Sequence, residues 1–370
     1  MQNNRSSNIE LLKIVAMIFI TLSHCLPVYG KENYLGWIDE QNAVLEINSL
    51  LVLFLRHVGQ IGNILFVISS AWFLVDNGRV KPNKIIAILL NAFFISAGGL
   101  IIGLFCGIKF PASSILKMLF PTTSGLNWFV GCYLLLYAVH GYLNIMIDNS
   151  SKKSLMSLVL VLMVLYLVVC MALPDVLYYS RLICFITVYL MVGYMKRYML
   201  NFSGKQKVNI KLLILLALIY IGSIFIYLSI ATTVGFLQGC AIKLACTNNV
   251  IMILMDVALF NVFKELKFPY SAFINKVASV SLVFYLITEN RVLAGHLRPA
   301  FFQWIYTNYG YGLLPVWIFL LNLVTFSVGI FVSLLYSSTI GRLSTSISKQ
   351  IEKFLQPLIS KLCIVLMRID

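Results

Sequence analysis

Apolar runs of roughly 20 residues recur along the whole of this 370-residue sequence, and no other feature restricts the fold as much. A run of that length crosses the hydrocarbon core of a bilayer as an α-helix, with every backbone N–H and C=O paired inside the segment. The runs are continuous rather than alternating, which excludes a membrane β-barrel. Charged residues make up 11% of the chain, about half of what soluble domains carry, and the mean hydropathy is +0.92. The expected fold is therefore all-α, a polytopic transmembrane helix bundle of about ten spans. They fall near 9–28, 58–76, 85–108, 127–147, 154–173, 177–195, 212–231, 247–263, 277–295 and 313–338.

The net charge of +15 belongs to the loops and does not indicate nucleic-acid binding. Of the 28 Lys and Arg residues, 20 fall on segments that share a side with the N-terminus and eight on the other side. The positive-inside rule then places both termini in the cytoplasm, as in a multi-pass protein of a bacterial plasma membrane. No small-x-small cleavage site follows "LSHCLPVYG", so the first segment reads as an uncleaved helix. A short interfacial helix, "AVLEINSLLVLFLR", is expected before the second span. The eight cysteines are scattered through apolar segments without Cys-x-x-Cys or Cys/His spacing, so neither a metal site nor a disulfide framework is expected. Residues 1–341 form the transmembrane domain. The tail 342–370 alternates apolar and basic residues and reads as an amphipathic helix on the cytoplasmic membrane face.

The first helix carries an unusual stripe. At 100° per residue, Glu10, Lys13, Met17, Thr21 and His24 share one face, with Lys13 and His24 about 16 Å apart along the axis. Polar side chains inside a span face the bundle interior or a wet cavity. The stripe thus joins a cytoplasmic cation to a titratable ring in the outer half of the bilayer. The alternative is an interfacial histidine whose ring reaches into the headgroups.

The Lys13-x10-His24 spacing resembles the Arg/Lys-x10-His signature of the acyltransferase-3 family, the membrane O-acyltransferases of surface glycans. "RSSNIELLKIVAMIFITLSH" is similar to that family's opening segment over its whole length. Further likenesses follow in order. "ILFVISSAWFLV" resembles the second span, with Ser70 where a glycine is usual. Lys81-Pro82-Asn83-Lys84 resembles an Arg-x-x-Arg motif with lysines in place of arginines. "SGLNWFVGCYLLLY" is similar to the Trp-Phe span, and "NKVASVSLVFYLITEN" to a late span in which Thr288 stands where histidine is common. The resemblance covers about 5–340. It implies acetyl-CoA as a cytoplasmic co-substrate, no bound cofactor, and a polysaccharide or lipid-linked glycan acceptor facing outward.

The residues give that implication a physical form. A phosphate-rich donor needs cations at the inner face. Lys81 and Lys84 lie one helical turn apart, and Lys13 and Arg5 add charge near them. His24 is the candidate for the chemistry, either as general base toward a sugar hydroxyl or as nucleophile in an acyl relay, and the sequence leaves both open. Glu10 is about 21 Å of helix from His24, so it is assigned to Lys13 or Arg5 as an ion partner. The resemblance suggests Trp128 as a wall of the acyl or acceptor pocket, with Ser124 as its hydrogen-bond partner.

Glu289 and Arg291 close the ninth span, where they either bind acceptor hydroxyls or face solvent. Asp256 is the deepest carboxyl; it is either a site acid or, as preferred here, the partner of a hydroxyl or lysine across helices. His57 and Arg56 read as interfacial, His140 as a hydrogen-bonded bundle residue, and His296 carries no motif. Two other classes compete with acyl transfer. A glycan polymerase generally needs a larger outer segment than 29–57 supplies. A transporter generally shows paired repeats with broken spans, and the glycines of "SAGGLIIGLFCG" have no counterpart elsewhere.

Overall fold

The computed structural model describes residues 6–25, 47–168, 181–231, 249–309 and 313–366, and these contain helices and no strands. In chain order they are α1 (Ser7–His24), α2 (Ile47–Leu74), α3 (Pro82–Phe105), α4 (Ala112–Leu119) and α5 (Trp128–Asn149). Next come α6 (Lys152–Leu162), α7 (Arg181–Tyr198), α8 (Gln206–Ala231), α9 (Val250–Lys264) and α10 (Ala272–Ser279). The last four are α11 (Ser281–Thr288), α12 (Arg298–Tyr309), α13 (Leu314–Ser338) and α14 (Ile340–Leu366). Wider π-turns extend α6 over Met163–Val168 and precede α12 over Leu293–Leu297.

Six described helices are long and apolar enough to cross a membrane: Ser7–His24, His57–Leu74, Pro82–Phe105, Trp128–Asn149, Gln206–Ile226 and Pro315–Ser338. Parts of the expected first, fifth, sixth and eighth spans lie outside the described residues, as does the start of "AVLEINSLLVLFLR"; from Ile47 that stretch is not a separate interfacial helix but the first part of α2. The expected ninth span, 277–295, is not one helix. The chain breaks at Val280 (φ −99°, ψ 9°) between two eight-residue helices, and the break sets Ser279 and Ser281 on either side of a kink.

Helix α1 sits at the centre and packs against α2, α9, α10, α11 and α13. Helices in a bilayer gain little from hydrophobic transfer to one another, so close backbone approach and dense packing hold them. Glycine supplies that approach on α2. A Cβ at Gly62 would lie 2.5 Å from the Ala16 carbonyl oxygen and 2.7 Å from Ile20 Cγ1, and one at Gly59 would overlap Ser23 Oγ. Leu12 and Ala16 are fully enclosed at this seam.

The glycines of "SAGGLIIGLFCG" do not break α3, which runs unbroken through them. Gly99 admits the amide of Asn290, whose Nδ2 donates to the Ile95 carbonyl at 3.1 Å, and Gly103 admits Phe110 and Val292. Gly99 and Gly103 are packing glycines, while Gly98 meets no neighbour among the described residues. Gly107, at φ 77°, turns the chain after α3.

Polar stitches fix the end of the bundle where α1 begins. Ser7 Oγ accepts from the Ser271 backbone N–H (2.9 Å) and Asn275 Nδ2 (3.2 Å), and Asn8 Nδ2 donates to the Lys264 carbonyl (2.7 Å). The final helix, α14, lies along α3 and buries Ser344 and Ser348 while Leu343 and Phe354 remain exposed. It begins at Ile340, two residues ahead of the boundary read from sequence.

Candidate functional site

His24 is the last residue of α1, and the structure supplies a partner that lies far from it in sequence. Its Nδ1 lies 2.9 Å from Oε1 of Glu289, which caps the C-terminus of α11. The contact has the distance of an ion pair, while the ring's alignment falls short of a hydrogen bond. A small rotation of the imidazole would complete it. The same Oε1 accepts from an Arg298 guanidinium nitrogen at 2.9 Å, and that nitrogen also donates to the Thr288 carbonyl. Arg298 is buried at the first position of α12. Nδ1 of His24 is enclosed although the side chain as a whole is 31% exposed, so the exposure falls on the rest of the ring, which includes Nε2. The geometry is that of a partnered imidazole: the Glu289 carboxylate lies against Nδ1, and the buried Arg298 guanidinium holds the same carboxylate oxygen from its other side.

The reading of Glu289 as an acceptor-binding or solvent-facing residue is therefore corrected. It is enclosed between His24 and Arg298, because a buried carboxylate requires paired charge. Arg291 is exposed and takes no part. Thr288 does not replace a catalytic histidine. Its hydroxyl donates back to the Phe284 carbonyl at 3.0 Å.

A cavity of about 750 Å³ runs beside α1 from the opposite end. Glu10, Lys13 and Lys84 stand at its mouth with Ser279 and Ser281. Phe129, Tyr133, Ser69 and Ser70 line it, and Ile20, Phe66 and Tyr285 also border it. The expected pairing of Glu10 with Lys13 is present at 3.0 Å. That pairing leaves Lys84 as the unneutralised cation among these three lining residues. Its ammonium lies 4.5 Å from the centroid of the Tyr137 ring. The second oxygen of Glu10 and the hydroxyl of Ser69 are buried without a hydrogen-bond partner among the described residues.

Several sequence-derived residues lie elsewhere. Lys81 caps α3, exposed and off the cavity lining, with its backbone N–H donating to the Tyr137 hydroxyl at 3.2 Å. Arg5 lies outside the described residues. The stripe on α1 does not line a crevice throughout. Met17 is packed against Val277 and Phe284, and the Thr21 hydroxyl is spent on the Met17 carbonyl at 3.0 Å.

Trp128 stands outside the cavity under the Arg181 guanidinium (4.1 Å to the ring centroid), and its neighbour Phe129 is the aromatic that enters. Ser124 is exposed and donates to the Lys117 carbonyl at 3.0 Å, so it is no partner of Trp128. Asp256 is fully enclosed, and neither carboxyl oxygen has a hydrogen-bond partner among the described residues, against the expected hydroxyl or lysine.

His57 is buried and bonded through Nδ1 to the Tyr220 hydroxyl rather than interfacial; the Arg56 side chain lies outside what is described. His140 is the bundle residue expected, with ring nitrogens 2.5 Å from the Tyr137 carbonyl oxygen and 2.9 Å from that of Asn77. Sequence reasoning missed Arg298. Its only signal was a basic residue directly after "HL" in the outer segment, which gives no hint of burial. Among the described residues no group of three or more His, Cys, Asp or Glu side chains is placed to hold a metal ion.

Comparison with protein-family models, with curated proteins and with solved structures finds no match to this chain.

Proposed function

We propose that this chain is an integral-membrane O-acyltransferase. In this reading it moves an acyl group, acetyl in the first instance, from cytoplasmic acetyl-CoA to a hydroxyl of an extracytoplasmic polysaccharide or cell-wall glycan. The observation that carries the reading is the layout of α1: a carboxylate-backed imidazole at one end, and a cavity with Lys13 and Lys84 at its mouth beginning at the other. The resemblance to acyltransferase-3 enzymes in "RSSNIELLKIVAMIFITLSH" points the same way. The reading includes ten spans with both termini cytoplasmic, a plasma-membrane location, and α14 lying on the inner membrane face.

In the reaction, His24 Nε2 takes the proton of the acceptor hydroxyl as its oxygen bonds to the thioester carbonyl carbon. The carbon–sulfur bond then breaks. The CoA thiolate leaves and takes up the proton, giving an O-acyl ester and free CoA. Glu289 steadies the imidazolium that forms between these steps, and Arg298 keeps Glu289 ionised and fixed. Lys84 and Lys13 attract the phosphates of the donor as point charges.

The test is a thiol-release assay on the purified chain in lipid nanodiscs, with acetyl-CoA and a membrane glycan fraction from the same cells. Acceptor-dependent release of CoA thiol with matching ester formation supports the reading. Acetyl-CoA left intact in the presence of the full glycan fraction contradicts it.

A further inference from the structure

The cavity and the His24 cluster do not meet. The cavity lining reaches Ile20 on α1 and Tyr285 on α11, and neither His24 nor Glu289 belongs to it. Each lies one helical turn, about 6 Å, beyond the last lining residue of its helix. The Met17–Phe284 packing and the His24–Glu289 contact show that the two helices run in the same direction, so Ile20 and Tyr285 each stand one turn below that contact on their own helix.

Phe129 completes the layer, its ring centroid 5.5 Å from that of Tyr285 and 6.3 Å from that of Phe66. Ile20, Phe129 and Tyr285 are all more than nine-tenths buried. Ile20 is held from behind, because Gly62 packs directly on its Cγ1 and leaves no room for retreat into α2. On α1, Lys13, Ile20 and His24 lie within about 40° of one another, so Ile20 stands directly on the line from the cation to the ring.

The geometry points to Ile20, Phe129 and Tyr285 as an apolar septum between the cavity and His24, with Ile20 as the residue that sets the size of the group able to cross it. A layer that is apolar except for the Tyr285 hydroxyl rejects the phosphates and amides of a donor but accepts a short acyl group. Size discrimination by such a layer is of the order of one methylene per side-chain methylene. The barrier is independent of the chemistry proposed above. The selection of acyl length rests on the acyltransferase reading.

Two measurements separate these. The first is cysteine accessibility in a background whose native cysteines are replaced, with His24→Cys as reporter. A small cationic methanethiosulfonate is supplied from the Lys13/Lys84 side of reconstituted vesicles. Modification is expected to be slow with Ile20 in place, about tenfold faster with Ile20→Ala, and intermediate with Ile20→Val, which removes a single methyl and keeps the fold. Equal rates in all three overturn the septum whether or not the chain is an enzyme.

The second compares acetyl-CoA with butyryl-CoA. Ile20→Ala is expected to raise the butyryl-to-acetyl ratio of kcat/KM about tenfold, and Ile20→Phe to lose acetyl transfer while CoA binding in the cavity persists. An unchanged ratio in Ile20→Ala overturns the selection role. Loss of CoA binding in Ile20→Phe also overturns it, because the block would then lie in the donor site. Absence of transfer from the unmutated chain counts against the acyltransferase reading, and leaves the accessibility result to decide the septum.

Discussion

Nδ1 of His24 and Oε1 of Glu289 are 2.9 Å apart, although one residue ends the first helix and the other lies in the last quarter of the sequence. The contact ties the end of α1 to the end of α11 and determines which imidazole nitrogen is free. If Glu289 orients the ring, then Glu289→Gln keeps the shape and loses the charge. It is expected to lower kcat by about 10²–10⁴-fold with the donor KM little changed. Steady-state kinetics on the reconstituted protein check this, and an unchanged kcat would remove Glu289 from the relay.

Arg298 is a structural prediction as much as a functional one. Its guanidinium binds both Glu289 and the Thr288 carbonyl from an 8% exposed site. Arg298→Ala leaves the Glu289 carboxylate without its permanently charged partner. Breaking a buried pair on one side costs about 3–5 kcal/mol. Thermal unfolding in detergent should show a clearly lowered Tm, only part of which is restored in Arg298→Lys, since the shorter lysine stem does not carry its nitrogen to the place where one guanidinium nitrogen meets both acceptors.

The cavity mouth separates two lysines that the sequence could not tell apart. Lys84 lines the cavity and Lys81 does not. A charge-assisted contact is worth about 1.5–3 kcal/mol, so Lys84→Ala should raise the donor Kd about tenfold or more. Lys81→Ala should stay within about twofold. Isothermal titration with CoA reads both, and the effect of Lys84 should shrink as salt rises.

Asp256 offers a contrary case. Both of its oxygens are enclosed and unpartnered, so Asp256→Leu removes buried polar atoms without stranding any group among the described residues. The variant is expected to unfold at the same or a higher temperature, by up to about 1–3 kcal/mol of stability. A marked loss of activity with stability retained would instead give the carboxyl a role in function.

How far the sequence reached depends on whether a feature is local. Glu10 with Lys13 is an i,i+3 pair on one helix face and could be read directly. So could His24 at the end of the first apolar run. Glu289 and Arg298 could not, because the Glu289–His24 contact joins elements distant in the chain, Arg298 reaches the cluster only through Glu289, and a single sequence carries no trace of such pairing. The ninth span was mistaken because "NKVASVSLVFYLITEN" is apolar throughout, and hydropathy does not register a single kink at Val280. The role of the α3 glycines was illegible for a related reason. Their true constraint is Asn290 and Phe110 arriving from other parts of the chain. Asp256 was expected to find a hydroxyl or lysine partner, and its oxygens have no hydrogen-bond partner among the described residues.

The account rests on His24 as the group that handles the acceptor proton, and one comparison addresses that most directly. Surface-glycan acetylation is measured by mass spectrometry in cells lacking the chain, and in cells restored with either the unmutated protein or His24→Ala at matched membrane levels. Acetylation should return with the unmutated protein and stay at the level of the deletion with His24→Ala. Full acetylation restored by His24→Ala would contradict the account.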